Sequence, residues 1–142
     1  MKNNKGFSLV ELIIVIAIMA ILVGVMAPQL IKYIEKTNIS SDAQLCDSVR
    51  TALTTACMDP DVVKAGGDLA DTTAGTVISS TAITGSVQEA AEEILGISLD
   101  DLDDQIKSKS AKNGGAGTLS YTKSGNQIKV YCTNNSSIFS GN

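Results

Sequence analysis

Glu11 stands at the edge of a stretch where a charge is hardest to accommodate. From Leu12 to Ile31 no residue is charged, and Gln29 is the only clearly polar side chain. An ionised carboxylate in lipid costs roughly 2.5–3.5 kcal/mol on insertion scales, so an acid at this boundary calls for a positive partner. Its chemistry would be electrostatic pairing rather than bond making. Two other sets of side chains could also do chemistry. Asp100, Asp101, Asp103 and Asp104 gather the oxygens that a hard cation takes. Cys46, Cys57 and Cys132 could form one disulfide and leave one thiol.

The acids read better as helix-start residues than as a metal site. They follow Ser98, where negative charge favours the helix dipole, and they lack the spacing and glycine of a calcium loop. The chain has no histidine, so the commonest general base and zinc ligand are both missing. The serines have no distinguishing context, and no nucleophile–base set emerges, so the chain reads as a non-enzyme needing no cofactor. The net charge of −4 and the scarcity of aromatic residues argue against a nucleic-acid surface. Lys107, Lys109 and Lys112 read as a solvated helix end.

The elements that position these groups follow from hydrophobic pattern. The run from Leu12 to Ile31 would span about 30 Å as a helix, the thickness of a bilayer core. Lys2 and Lys5 precede it, which keeps the N-terminus cytoplasmic and puts the bulk outside. Beyond Lys32 the pattern becomes periodic. Ile39, Ala43, Cys46, Val49, Leu53 and Ala56 fall on one helical face, with Asp42, Ser48 and Arg50 on others. Asp59-Pro60 is a natural stop. The expectation is one helix of about 50 residues from Phe7 to near Met58, roughly 75 Å long.

The remainder reads as a small head. Asp61 to Gly85 should be mostly loop, with a short strand at Thr76-Val77-Ile78. Ser86 to Glu89 has capping-box spacing, and Val87, Ala90, Ala91, Ile94 and Leu95 share a helical face ended by Gly96. Ser98 opens a second short helix carrying Leu99, Leu102 and Ile106. Asn113 to Gly117 is a break. Leu119 and Tyr121, then Ile128, Val130 and Cys132, alternate about a Ser124-Gly125-Asn126 turn and predict a β-hairpin. Ile138 and Phe139 could add an edge strand. The fold class is α+β: a long N-terminal helix packed on short helices and an antiparallel sheet.

Cys46 and Cys57 lie eleven residues apart, so a continuous helix would hold them roughly 16 Å apart, too far for a disulfide. Cys132 faces inward on its strand and could reach the helix. Cys57 is the first choice of partner because a helix end can adjust, and Cys46 is the second. Three buried thiols acting as small hydrophobes is the alternative.

The string Lys5-Gly6-Phe7-Ser8-Leu9-Val10-Glu11, with the apolar run and Pro28 behind it, resembles the prepilin signal of the type IV pilin family. A secretory signal would place Pro28 directly after a cut at Val25-Met26-Ala27, and a plain anchor would leave Glu11 unexplained. The resemblance implies a leader, residues 1–6, cleaved by a prepilin peptidase between Gly6 and Phe7, with methylation of the new Phe7 amine. It implies a polymerisation helix over 7–34 and a head over 35–142. Loss of the two leader lysines would take the net charge from −4 to −6. In the family, Glu11 would pair with the Phe7 amine of a neighbouring subunit, and the helix around Gly24 and Pro28 can melt as a filament extends. The implied partners are further copies of the chain in a helical filament, the peptidase, an assembly machinery, and the cytoplasmic membrane before assembly. The loop-closing disulfide of many pilins cannot be carried over, because these cysteines would tie sheet to helix. A pseudopilin of a type II secretion system or a competence pilus subunit is the alternative within the family. A non-polymerising membrane-anchored sensor or enzyme is the alternative outside it.

Overall fold

The computed structural model of the chain describes residues 6–112 and 117–134. Helix α1, Leu9–Met58, is succeeded by α2, Pro60–Lys64, and strand β1, Thr72–Val77. Helix α3, Ser86–Leu95, leads to two 3-10 turns, Leu99–Asp101 and Asp103–Gln105, and to the one-turn helix α4, Lys109–Lys112. Strands β2, Leu119–Ser124, and β3, Gln127–Cys132, complete an antiparallel sheet of order β1-β2-β3. The chain divides into one unit that ends at Glu35 and another that starts at Lys36. The architecture is α+β, as the pattern predicts. Ile138, Phe139 and Asn113 to Ala116 lie outside the described residues.

In the first unit α1 is greasy all round, and its large apolar side chains are exposed throughout, from Leu9 at 73% to Val15 at 44%. Pro28 lies inside this helix. In the second unit α1 buries Asp42, Cys46, Val49, Ala52, Leu53 and Ala56. The predicted stripe is therefore correct from Cys46 onward, with Ile39 and Ala43 partly buried at its margin. Asp42 is the exception. It does not lie on a solvated face but is 1% exposed. Its two carboxylate oxygens accept the backbone N–H groups of Lys107 and Ser108, each at 2.8 Å. The Ser108 Oγ in turn accepts the N–H of Ala111 at 3.1 Å, capping α4. An acid on α1 thus fixes the start of a helix more than sixty residues away.

The sequence places α1's end correctly, but the residues just beyond it are not loop. Asp59 caps α2 by accepting the Asp61 N–H at 2.8 Å. Pro60 takes the first helical position, where its missing N–H costs nothing. Strand β1 also starts four residues earlier than predicted. It carries a bulge between Thr72 and Thr76, where Gly75 adopts φ 78°. A side chain at Gly75 would also overlap the Tyr131 hydroxyl. The predicted capping box at Ser86 is not formed. Gly85 is the N-cap, with φ 71°, and its carbonyl already accepts the Glu89 N–H at 3.2 Å. Gly96, in the left-handed region, ends α3 as expected.

The hairpin forms in the predicted register, Leu119 opposite Cys132, Tyr121 opposite Val130 and Lys123 opposite Ile128. These six share one face by the two-residue period of a strand and are all buried. That face joins the α1 stripe, Leu99, Leu102 and Ile106 in one apolar cluster. Each fully buried Leu or Ile contributes about 1.5–3 kcal/mol.

Truncating Asp42 leaves two amides without their acceptor, in a site closed to water. Asp42→Ala is expected to lower the unfolding free energy by about 3 kcal/mol, read from urea unfolding of the detergent-solubilised chain by circular dichroism. A loss below about 1 kcal/mol would mean that the amides find other partners.

Candidate processing and assembly site

Gly6 and Phe7 precede α1 and are exposed, Phe7 at 90%. A Cβ built on Gly6 would meet nothing within 4 Å. The fold of this chain therefore does not require glycine at position 6, and a requirement there would come from whatever else reads this segment. Glu11 lies in the first turn of α1, and one oxygen of its carboxylate accepts the Ser8 backbone N–H at 3.1 Å. This is the return half of a capping box, Ser8-Leu9-Val10-Glu11, in which an acid satisfies one of the orphan donors of a helix start. The three-residue spacing from Ser8 to Glu11 is a signal in the sequence in its own right, beside the charge argument. Gly24 is equally open to an added Cβ, and Pro28 sits one turn beyond it in the helix.

Residues 1–27 match the family model described as a prokaryotic N-terminal methylation motif. That segment is similar to the start of type IV fimbrial proteins. The chain is 40% identical over 55 residues to a fimbrial protein of Moraxella nonliquefaciens, covering 39% of this chain and 36% of the relative. It is 40% identical over 56 residues to the type IV major fimbrial protein FimA of Dichelobacter nodosus, covering 39% and 36%. It is 36% identical over 59 residues to a fimbrial protein of Pseudomonas aeruginosa, covering 42% and 38%. The chain thus spans little more than a third of the length of the curated relatives it matches. No solved structure matches it significantly.

The unit that starts at Lys36 carries its own electrostatic pattern, in which carboxylates hold amides of other segments. Glu92 on α3 accepts the Leu99 N–H at 2.9 Å and the Ser98 hydroxyl at 3.2 Å. Asp100 accepts the Ser80 N–H at 2.9 Å and its hydroxyl at 2.5 Å. Asp103 accepts the Leu119 N–H at 3.0 Å and so fixes the first residue of β2. Two of the four clustered acids therefore bind backbone elsewhere in the chain instead of merely facing a helix dipole. Among the described residues no group of three or more cysteines and acids converges as a metal site would require.

Lys123 is buried on β2. Its ammonium donates to Asp68 at 2.7 Å and to the Leu69 carbonyl at 2.8 Å, with Asp71 at 3.9 Å. This pins the loop before β1 to the sheet.

All three cysteines are free thiols in the structure, Cys46 and Cys132 buried and Cys57 partly so. Cys57 lies beside Leu69 and Lys123, on an open cleft of about 380 Å³ that Thr54, Met58 and Val63 also line. Cys132 is at the other end of the hairpin and is buried with Cys46 in the apolar cluster. The cause is the direction of the hairpin along α1. Lys123, near its turn, sits by Cys57, and Leu119, opposite Cys132, is four residues back along β2. About 14 Å of strand then matches about 16 Å of helix between Cys57 and Cys46.

The acid–amide bonds set a pH dependence. Hydrogen bonding to Lys123 depresses Asp68 below its ordinary value of 3.8; the Leu99 amide depresses Glu92 below 4.5; Ser80 depresses Asp100 below 3.8. Groups depressed in the folded state stabilise it fully above their unfolded values and lose that contribution as pH falls through the folded ones. Burial raises Asp103, which works the other way, since acid relieves its penalty. Three depressed groups outnumber the raised one, so the melting temperature is expected to fall below about pH 4. Asp100→Asn should make that fall shallower in scans by circular dichroism. A melting temperature flat from pH 5 to pH 2.5, as rough bounds, would contradict the assignment.

Proposed function

We propose that this chain is the precursor of a structural subunit of a type IV pilus-like filament. The observation that carries the proposal is an apolar helix start that nothing in its own unit covers, headed by Gly6, Phe7 and Glu11 within a methylation motif. A peptidase cuts between Gly6 and Phe7, and the glycine is needed by that enzyme rather than by this fold. The new amine on Phe7 is methylated. The leader with Lys2 and Lys5 stays in the cytoplasm, the apolar half of α1 rests in the membrane, and the head is exported.

Assembly then proceeds from burial and charge. Side-by-side packing of these helices replaces lipid with protein around every apolar side chain from Leu9 to Ile34. The Glu11 carboxylate leaves water as the subunit enters the filament, and the Phe7 amine of a neighbouring copy compensates it. Before that partner arrives, the Ser8 N–H holds the same carboxylate, so it is oriented but not neutralised. Pro28 removes the helix bond that its N–H would have made to the Gly24 carbonyl. The turn from Gly24 to Pro28 is therefore where the helix would open first under tension. The chain performs no catalysis in this role.

Mass spectrometry of subunits from sheared surface filaments should find a chain beginning at methylated Phe7. A mature chain starting elsewhere, or a chain never found in filaments, would overturn the reading. Glu11→Val should leave membrane insertion and cleavage intact while lowering filament yield on the order of tenfold or more, as removal of a compensated charge pair predicts. Filaments at the normal yield would contradict the pairing.

A further inference from the structure

We propose that Cys46 and Cys132 form a disulfide that staples strand β3 to helix α1, and that Cys57 remains a thiol. The inference rests on export of the head, since a disulfide persists only outside the reducing cytoplasm. Within the head it stands on placement. Both side chains are sealed in the apolar cluster, Cys46 at 2% and Cys132 at 0% exposure. Cys57 lines a cleft with Lys123 and the turn residues Gly125 and Asn126, while Cys132 stands at the opposite end of the hairpin, about 14 Å of strand away, which matches the roughly 16 Å of helix from Cys57 back to Cys46. The neighbouring Cys46 thiol holds Cys132 well above the ordinary thiol range, with burial and the Asp42 and Asp103 carboxylates adding to the rise. Both thiols are sealed from solvent, so the folded dithiol is closed to a protein oxidant.

The bond must therefore form before the hairpin closes on α1. The oxidant is a disulfide-bearing thiol oxidoreductase of the exported compartment. One cysteine thiolate attacks a sulfur of the donor disulfide and makes a mixed disulfide, releasing one donor thiolate. The second cysteine thiolate then attacks the cysteine sulfur of that mixed bond and expels the other donor thiolate. The pilin-like chain loses two electrons and two protons, and the donor ends as a dithiol. The loop closed is about 86 residues long, near the upper end of what such a bond can constrain in an unfolded chain.

The test is peptide mapping without reductant of the full chain purified from cells, with free thiols alkylated in denaturant. The expected result is a Cys46–Cys132 cross-link, an alkylated Cys57, and a mass lower than the reduced chain by two hydrogens. The Cys57→Ser variant should keep the cross-link. Heating the oxidised chain and the same chain reduced in denaturant and refolded should show melting temperatures differing on the order of 10 °C or more. A cross-link to Cys57, or three alkylated cysteines in the cell-derived chain, would overturn the proposal. Refolding the full chain in vitro with oxidised glutathione locates the fault. Failure to cross-link there as well refutes the geometry, whereas cross-linking only there refutes the export premise.

Discussion

An apolar helix with no internal cover constrains everything else in this chain. The side chains from Leu9 to Ile34 that would each gain about 1.5–3 kcal/mol on burial are left exposed by their own unit. Their burial must come from lipid or from other molecules. Charge is excluded from Leu12 to Ile31 for that reason, and Glu11 stands just before it, in the first turn, where a helix start offers unpaired N–H groups. The burial available within one copy is consequently confined to the unit that starts at Lys36.

That unit has few aromatic residues and much irregular backbone, so hydrophobic burial alone does little to define its loops. Carboxylates supply the definition. Asp42, Glu92, Asp100 and Asp103 each accept backbone N–H groups from a segment distant in sequence, and Lys123 does the converse, donating to the Leu69 carbonyl. For the buried Asp42, which makes two such bonds, each hydrogen bond to the charged acceptor contributes about 1.5–3 kcal/mol, comparable to burying a leucine. An acidic composition is therefore structural here, because several of its charges are already committed to amides.

Short-range period is what makes a feature of this chain legible in its sequence. The stripe from Cys46 to Ala56, the hairpin register and the Gly96 stop all follow from spacing and turn chemistry. Residue polarity misplaces Asp42, although positions 42, 46, 49, 53 and 56 form a regular heptad-like series in which the period is the better guide. The cap of α3 is Gly85 and not Ser86 because a positive φ lets the chain enter the helix one residue earlier. The cysteine partner depends on which way the hairpin runs along α1, and no local pattern encodes that direction. At the N-terminus, the charge argument singles out Glu11, while the bond to Ser8 needs only the spacing of a helix start.

The separation of the core from the uncovered helix has a consequence for how such a chain can change over generations. Replacements among residues 36–134 are judged by the molecule itself, through holes, clashes and orphaned amides. Replacements among residues 9–34 answer to outside surroundings, and one greasy side chain there can drift to another without disturbing a folded monomer. The two stretches are therefore free to diverge at unequal speeds.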